Sequence, residues 1–195
     1  KMAKYARVDL GQIEALLNKI GGEEGAQLIL SGVAEVVVKK LLAPSDILSV
    51  PGRDEFTAAF SVDTSSKARV KIAWMSENFR NNFLRKVETN VPAGELRAHK
   101  LLKNALDAPI RAEIGEAREE TYLIDLWTAL KKQHNGESGL LLTSGRANIF
   151  YMRDHGGKVW AVRARWYAND DGWYLDADSA LHPHGWNAGH QVFSR

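Results

Sequence analysis

Apolar and polar positions along the chain alternate with two different periods, and the switches between them predict the elements. In residues 10–31, LGQIEALLNKIGGEEGAQLILS, the residues Ile13, Leu16, Leu17 and Ile20 recur at helical spacing. Gly21-Gly22 should stop that helix, and Glu23 and Glu24 suit the first turn of a second one. A helical hairpin is expected. Neither helix carries the Arg/Asn/Gln-rich face that reading DNA base edges requires. The next stretch, VAEVVVKKLLA (33–43), fits helix and strand equally, and Pro44 and Pro51 then mark 44–53 as a linker.

Period two follows. FTAAFSV (56–62) and ARVKIAWM (68–75) read as a β-hairpin with Phe56 opposite Trp74, Ala58 opposite Ile72 and Phe60 opposite Val70, so that every core-facing position is apolar. Helical spacing then returns. Ser76 can cap ENFRNNFLRKV, whose Phe79, Phe83 and Val87 form a stripe. AGELRAHKLLKNALDAPIRAEI predicts a helix that Pro109 ends or kinks. In EETYLIDLWTALKKQ, Leu123, Leu126, Trp127 and Leu130 share a face, and HNG closes the helix.

The last third is strand again. ANIFYMR, KVWAVRARWY and GWYLDAD, joined by DHGG and ANDD, predict an antiparallel meander. Its apolar face would hold Ile149, Tyr151, Trp160, Val162, Ala164, Trp166, Trp173, Leu175 and Ala177, with Ile149 opposite Val162 and Trp166 opposite Trp173. On the other face Arg163 meets Asp176 and Arg165 meets Tyr174, while HQVFS (190–194) can add a strand. The fold class is α+β: an N-terminal helical hairpin, a β-hairpin, central helices and a C-terminal antiparallel β-meander rich in tryptophan. Residues 1–9 are expected to be a flexible start or a cloning remnant, 10–43 a helical extension and 54–195 the α+β domain.

Composition narrows the chemistry. The 195 residues are 45% hydrophobic and contain no cysteine, which excludes disulfides, thiol catalysis and Cys-based zinc sites. No apolar run reaches the length of a membrane span, and KMAKYARVDLGQ lacks the apolar core of a signal peptide, so a cytoplasmic location is expected. Net charge is only +2, but residues 67–111 hold ten Lys/Arg against four acids, and residues 112–125 one Arg against five. Neighbouring segments of opposite sign tend to neutralise each other.

Five stretches, QIEALLNKIGGEEGAQLILSG, ENFRNNFLRK, KNALDAPIRAEIG, SGRANIFYMRDHGGKVWAVRARWY and GWNAGHQVFSR, resemble a group of uncharacterised bacterial hypothetical proteins of similar length. The resemblance implies a small bacterial protein folding as one unit. It brings no activity with it.

Four places can carry function. The tail LHPHGWNAGHQVFSR sets His182, His184 and His190 within reach of Asp176 and Asp178, a set suited to a divalent transition metal, although H-x-H-x5-H is no diagnostic signature. The tryptophan face is either core or a platform, and packing on the Leu123/Leu126/Trp127 helix favours core. Trp186, in a glycine-rich loop, is expected to be available to a ligand. The polar face, Arg163, Arg165, Tyr174 and Asp176, is either solvated ion pairs or a seat for an anion. The basic 67–111 segment would bind nucleic acid weakly, because Trp74, Phe79 and Phe83 occupy core-facing positions. The leading expectation is a non-catalytic binding protein for a protein or small-molecule ligand. A metal-dependent enzyme and a nucleic-acid binder are the alternatives.

Overall fold

A computed structural model describes residues 9–37, 39–58, 60–181 and 185–195. The chain divides between residues 39 and 40 into two compact units. The first holds α1 (Leu10–Lys19) and α2 (Gly22–Leu30), the expected helical hairpin. Asp9 accepts from the Gln12 backbone N–H at 2.8 Å and the Gln12 side chain answers at the Asp9 N–H, a reciprocal cap on α1. Gly25 lets the turn close, because a Cβ there would stand 1.6 Å from the Ile20 carbonyl oxygen.

The second unit contains, in chain order, β1 (Leu42–Val50), β2 (Arg53–Thr57), β3 (Ile72–Met75), α3 (Glu77–Phe83), β4 (Val87–Val91), β5 (Gly94–Leu101), β6 (Ala105–Leu106), α4 (Asp107–Ile114), α5 (Glu116–Glu119), α6 (Leu123–Lys132), β7 (Asn148–Arg153), β8 (Val159–Tyr167), β9 (Gly172–Ser179), β10 (Gly185–Trp186) and β11 (Gln191–Ser194). Seven strands form one sheet in the order β1-β5-β11-β7-β8-β9-β3, and two small ribbons pair β10 with β6 and β2 with β4. The class is α+β with a mixed sheet, since β11 runs parallel to β7 and β3 parallel to β9. Among the described residues no helix is long and apolar enough to cross a membrane.

Both faces of the sheet are covered over much of their area. On one, Trp160, Val162, Ala164, Trp166, Trp173 and Leu175 share a core with Phe79 and Phe83 of α3 and with α6. The tryptophan face is therefore core, and the Leu123/Leu126/Trp127 helix is in that core as expected. Ser76 caps α3 by accepting from the Phe79 N–H at 3.1 Å. A carboxylate on β4, Glu88, receives the Leu123 and Ile124 N–H groups at the start of α6, where the helix dipole favours negative charge. On the other face, Ile110 and Ile114 of α4 join Ile149, Tyr151, Val192, Leu101 and Trp186 in a second, smaller core.

Several expectations are corrected. Residues 44–53 are not a linker: β1 is an edge strand, where Pro44 is tolerated and a register shift between Pro44 and Ile47 absorbs the misfit. The 56–62/68–75 hairpin does not form, because β2 pairs with β4 and β3 with β9. Alternation marked a half-buried strand but not its neighbour. Residues 94–101 are strand, not helix: Leu96 and Ala98 alternate with Arg97 and His99, and pairing on both sides overrides helix propensity. Pro109 lies in the first turn of α4, where its missing N–H costs nothing. The β8/β9 register is as expected, with Trp166 opposite Trp173. The β7/β8 register is shifted by one, so Phe150, not Ile149, faces Val162, and Ile149 and Tyr151 turn to the second core. All but the last residue of β7 is buried, so its sequence carries no inside–outside signal.

The described chain closes on an ion pair. Arg195 donates to Asp125 from Nε at 2.9 Å and from Nη2 at 2.7 Å, and Asp125 also accepts from the Tyr122 N–H at 2.9 Å. Asp125 is fully buried, and burial pushes its carboxyl up from the usual range while Arg195 pulls it back. Removing one partner of such a pair strands a buried charge. Arg195→Met is expected to cost about 3–5 kcal/mol at neutral pH by urea unfolding. The same change in an Asp125→Asn background should cost clearly less, and equal costs would mean the charge is not what matters.

Candidate functional site

The second face of the sheet is left open at the end formed by β8, β9 and β3. Strand alternation puts Arg163, Arg165 and Tyr167 of β8 beside Tyr174, Asp176 and Asp178 of β9, and the parallel pairing of β3 brings Trp74 next to Tyr174. Trp74, Arg163, Arg165, Tyr167, Tyr174 and Asp176 line a shallow pocket of about 50 Å³. Four of these six belong to the set expected from sequence.

The two arginines differ. Arg163 pairs with Asp176 across the strands, and its Nη1 stands 2.8 Å from Asp178 Oδ2. Its guanidinium also lies 5.8 Å from the centre of the Trp186 ring. Burial alone would raise the Asp176 carboxyl, but a hydrogen bond from Ser76 and the charge of Arg163 hold it below its usual value. Asp176 is thus an ionised, fully engaged acceptor. Arg165 lies opposite Tyr174, its side chain makes no hydrogen bond or ion pair among the described residues, and its buried Nε lacks an acceptor. A cation left this way in a partly buried place is costly.

Beside Arg165 runs a row of three rings. Tyr174 is centred 5.4 Å from Trp74 and 4.4 Å from Tyr167. Trp74 is 42% exposed and Tyr167 37%. The Tyr174 hydroxyl donates to Asp170 at 2.7 Å, which fixes that ring and withdraws its O–H from the pocket. Sequence pattern missed Trp74 by assigning it to the core of a hairpin. The parallel pairing that places it here joins segments about a hundred residues apart, which no local signal announces.

The tail is built differently from expectation. Trp186 is buried at 3% exposure, not available, because its ring fills the second core. Its Nε1–H donates to Asp107 Oδ1 at 2.7 Å, and the same oxygen accepts from the Tyr151 hydroxyl at 2.7 Å. His190 is also buried, and its Nδ1 accepts the Ala147 N–H at 2.8 Å. That contact fixes a neutral ring with its proton on Nε2. Burial, then the charges of Arg165, Arg146 and Arg163, lower the His190 pKa to about 4. His182 and His184 lie outside the described residues. Asp178 stands against Arg163, and among the described residues no group of three His, Asp or Glu side chains is placed to hold a metal ion.

The basic 67–111 segment is spread over β3, α3, β4, β5, β6 and the start of α4. Within it Lys71 pairs with Asp171, Lys86 with Glu88, Arg97 with Glu95 and Arg111 with Glu119, which engages four of its ten bases, two of them with acids from outside the segment. Phe79 and Phe83 are in the core as expected, but Trp74 is not.

His190 makes a test of this geometry. Its pKa is lower folded than unfolded, so its contribution to stability is full above about pH 6.5 and is lost as pH falls toward about 4. Urea unfolding should show the native protein losing up to about 3 kcal/mol more than His190→Gln across that window. Equal slopes would mean the ring is not held neutral. No protein-family model, no curated protein and no solved structure matches this chain.

Proposed function

We propose that this is a binding protein that holds a small anionic ligand at the open end of its sheet and does not transform it. One observation carries the reading: Arg163 is matched to two carboxylates while Arg165, one pleat along the same face, has no partner among the described residues. An anion from solution would supply the missing acceptors, and a planar guanidinium suits oxygen pairs on a carboxylate or phosphate. The small pocket favours a small molecule over a protein surface. Groups that could move protons are already engaged, Asp176 by Arg163 and Ser76 and His190 Nδ1 by a backbone N–H, which supports binding over catalysis.

The test is titration of the protein with acetate and with inorganic phosphate, following by NMR the Arg165 Nε–H in the native protein and the backbone N–H signals of β8 and β9 in both the native protein and the variant. Saturable shifts at about millimolar concentration are expected, weakened at least about tenfold in Arg165→Gln. The variant should melt no lower than the native protein, since the Arg165 side chain makes no hydrogen bond or ion pair among the described residues. Silence of the Arg165 resonance with both anions, or shifts that survive in the variant, would sink the proposal.

A further inference from the structure

Resting on that reading, we infer that the ligand is a monocarboxylate carried on a flat ring, with the carboxylate on Arg165 and the ring laid on Trp74, Tyr174 and Tyr167. Charge sets the first half. Arg165 offers one positive charge without a partner among the described residues. Asp176 lines the same pocket and Asp178 follows it on the same face of β9, both paired with Arg163. The four charges at this end of the sheet, Arg163, Arg165, Asp176 and Asp178, already sum to zero, so the ligand that suits Arg165 is the one that brings the least negative charge, and a dianion would be pushed harder by the two carboxylates. The pocket volume of about 50 Å³ takes a carboxylate-sized group and leaves the rest of the ligand at its mouth.

The rings set the second half. Trp74 and Tyr167 are, among the described residues, the exposed tryptophan and tyrosine, and they flank Tyr174 on the side of the sheet where Arg165 emerges. Three neighbouring π-faces next to a guanidinium offer stacking to a flat ring that a puckered or purely aliphatic group does not use as well. Trp74 is supplied by β3, which belongs to no hairpin with β9 but is set parallel to it, so the row of rings is assembled by tertiary pairing.

Four probes separate the arguments: benzoate, cyclohexanecarboxylate, acetate and phenyl phosphate, titrated against the native protein, Trp74→Leu and Arg165→Gln, reading tryptophan fluorescence and the Arg165 Nε–H. Benzoate is expected to bind about fivefold or more tighter than cyclohexanecarboxylate or acetate, and tighter than phenyl phosphate. Trp74→Leu should bring benzoate down to the level of cyclohexanecarboxylate while acetate is unchanged. Arg165→Gln should weaken all four. Benzoate no tighter than acetate, with both still dependent on Arg165, overturns the ring and leaves the anion site standing. Phenyl phosphate tightest overturns the single-charge argument. No response from any probe overturns this inference and the anion-binding reading together.

Discussion

The sheet hangs on four residues, Gln191–Ser194. Strand β11 lies antiparallel to β5 on one side and parallel to β7 on the other, and it is the only link in the strand order between β1-β5 and β7-β8-β9-β3. All four of its residues are buried. Phe193 stacks on Phe150 with ring centres 4.3 Å apart and planes within 4°. The Gln191 side chain donates to the Leu140 carbonyl at 2.6 Å, and the His190 carbonyl takes the Leu101 N–H at 2.8 Å. Such a short strand gains its stability from flanking contacts, and Arg195 with its buried Asp125 provides the firmest of them.

The open pocket is a by-product of uneven cover. Helices α3 and α6 share the first core with the tryptophan face, but on the second face the core that holds Ile110, Ile114 and Trp186 reaches Val159 and Ala161 at the start of β8 and takes in none of the residues from Arg163 to Tyr167. Where cover ends, the alternate residues must be polar or tolerate water, hence arginines, aspartates and tyrosines at positions that elsewhere hold Ile149 and Tyr151. Trp186 and His190 form the border, ring centres 5.9 Å apart, with Arg163 reaching over the indole.

What the sequence disclosed follows from where one face is wet. Strands β8 and β9 are buried on one side and polar on the other, so their period and register were legible down to Arg163 opposite Asp176. The capped helix α3 and the α6 stripe were equally plain. Strand β7, buried on both sides, could slide by one without any mismatch in hydrophobicity. Strand β5 is rich in helix formers and becomes strand only because β1 and β11 bracket it. Half of the site was readable because it sits on one hairpin. Trp74 was not, since it arrives from β3, and the burial of Trp186 depended on Asp107, a carboxylate 79 residues earlier whose role has no local signature.

The strand that joins the two halves is also the last in chain order among the described residues, and synthesis on a ribosome proceeds in that order. While residues up to about 190 are being made, β5 and β7 are each present with one edge unpaired and their apolar side chains in place. Unpaired edges of that kind invite pairing with other chains. Until residues 191–194 are made the nascent protein therefore carries its greatest risk of misassociation, and a chain stopped short of them would release two half-sheets with matching open edges rather than a slightly shortened fold.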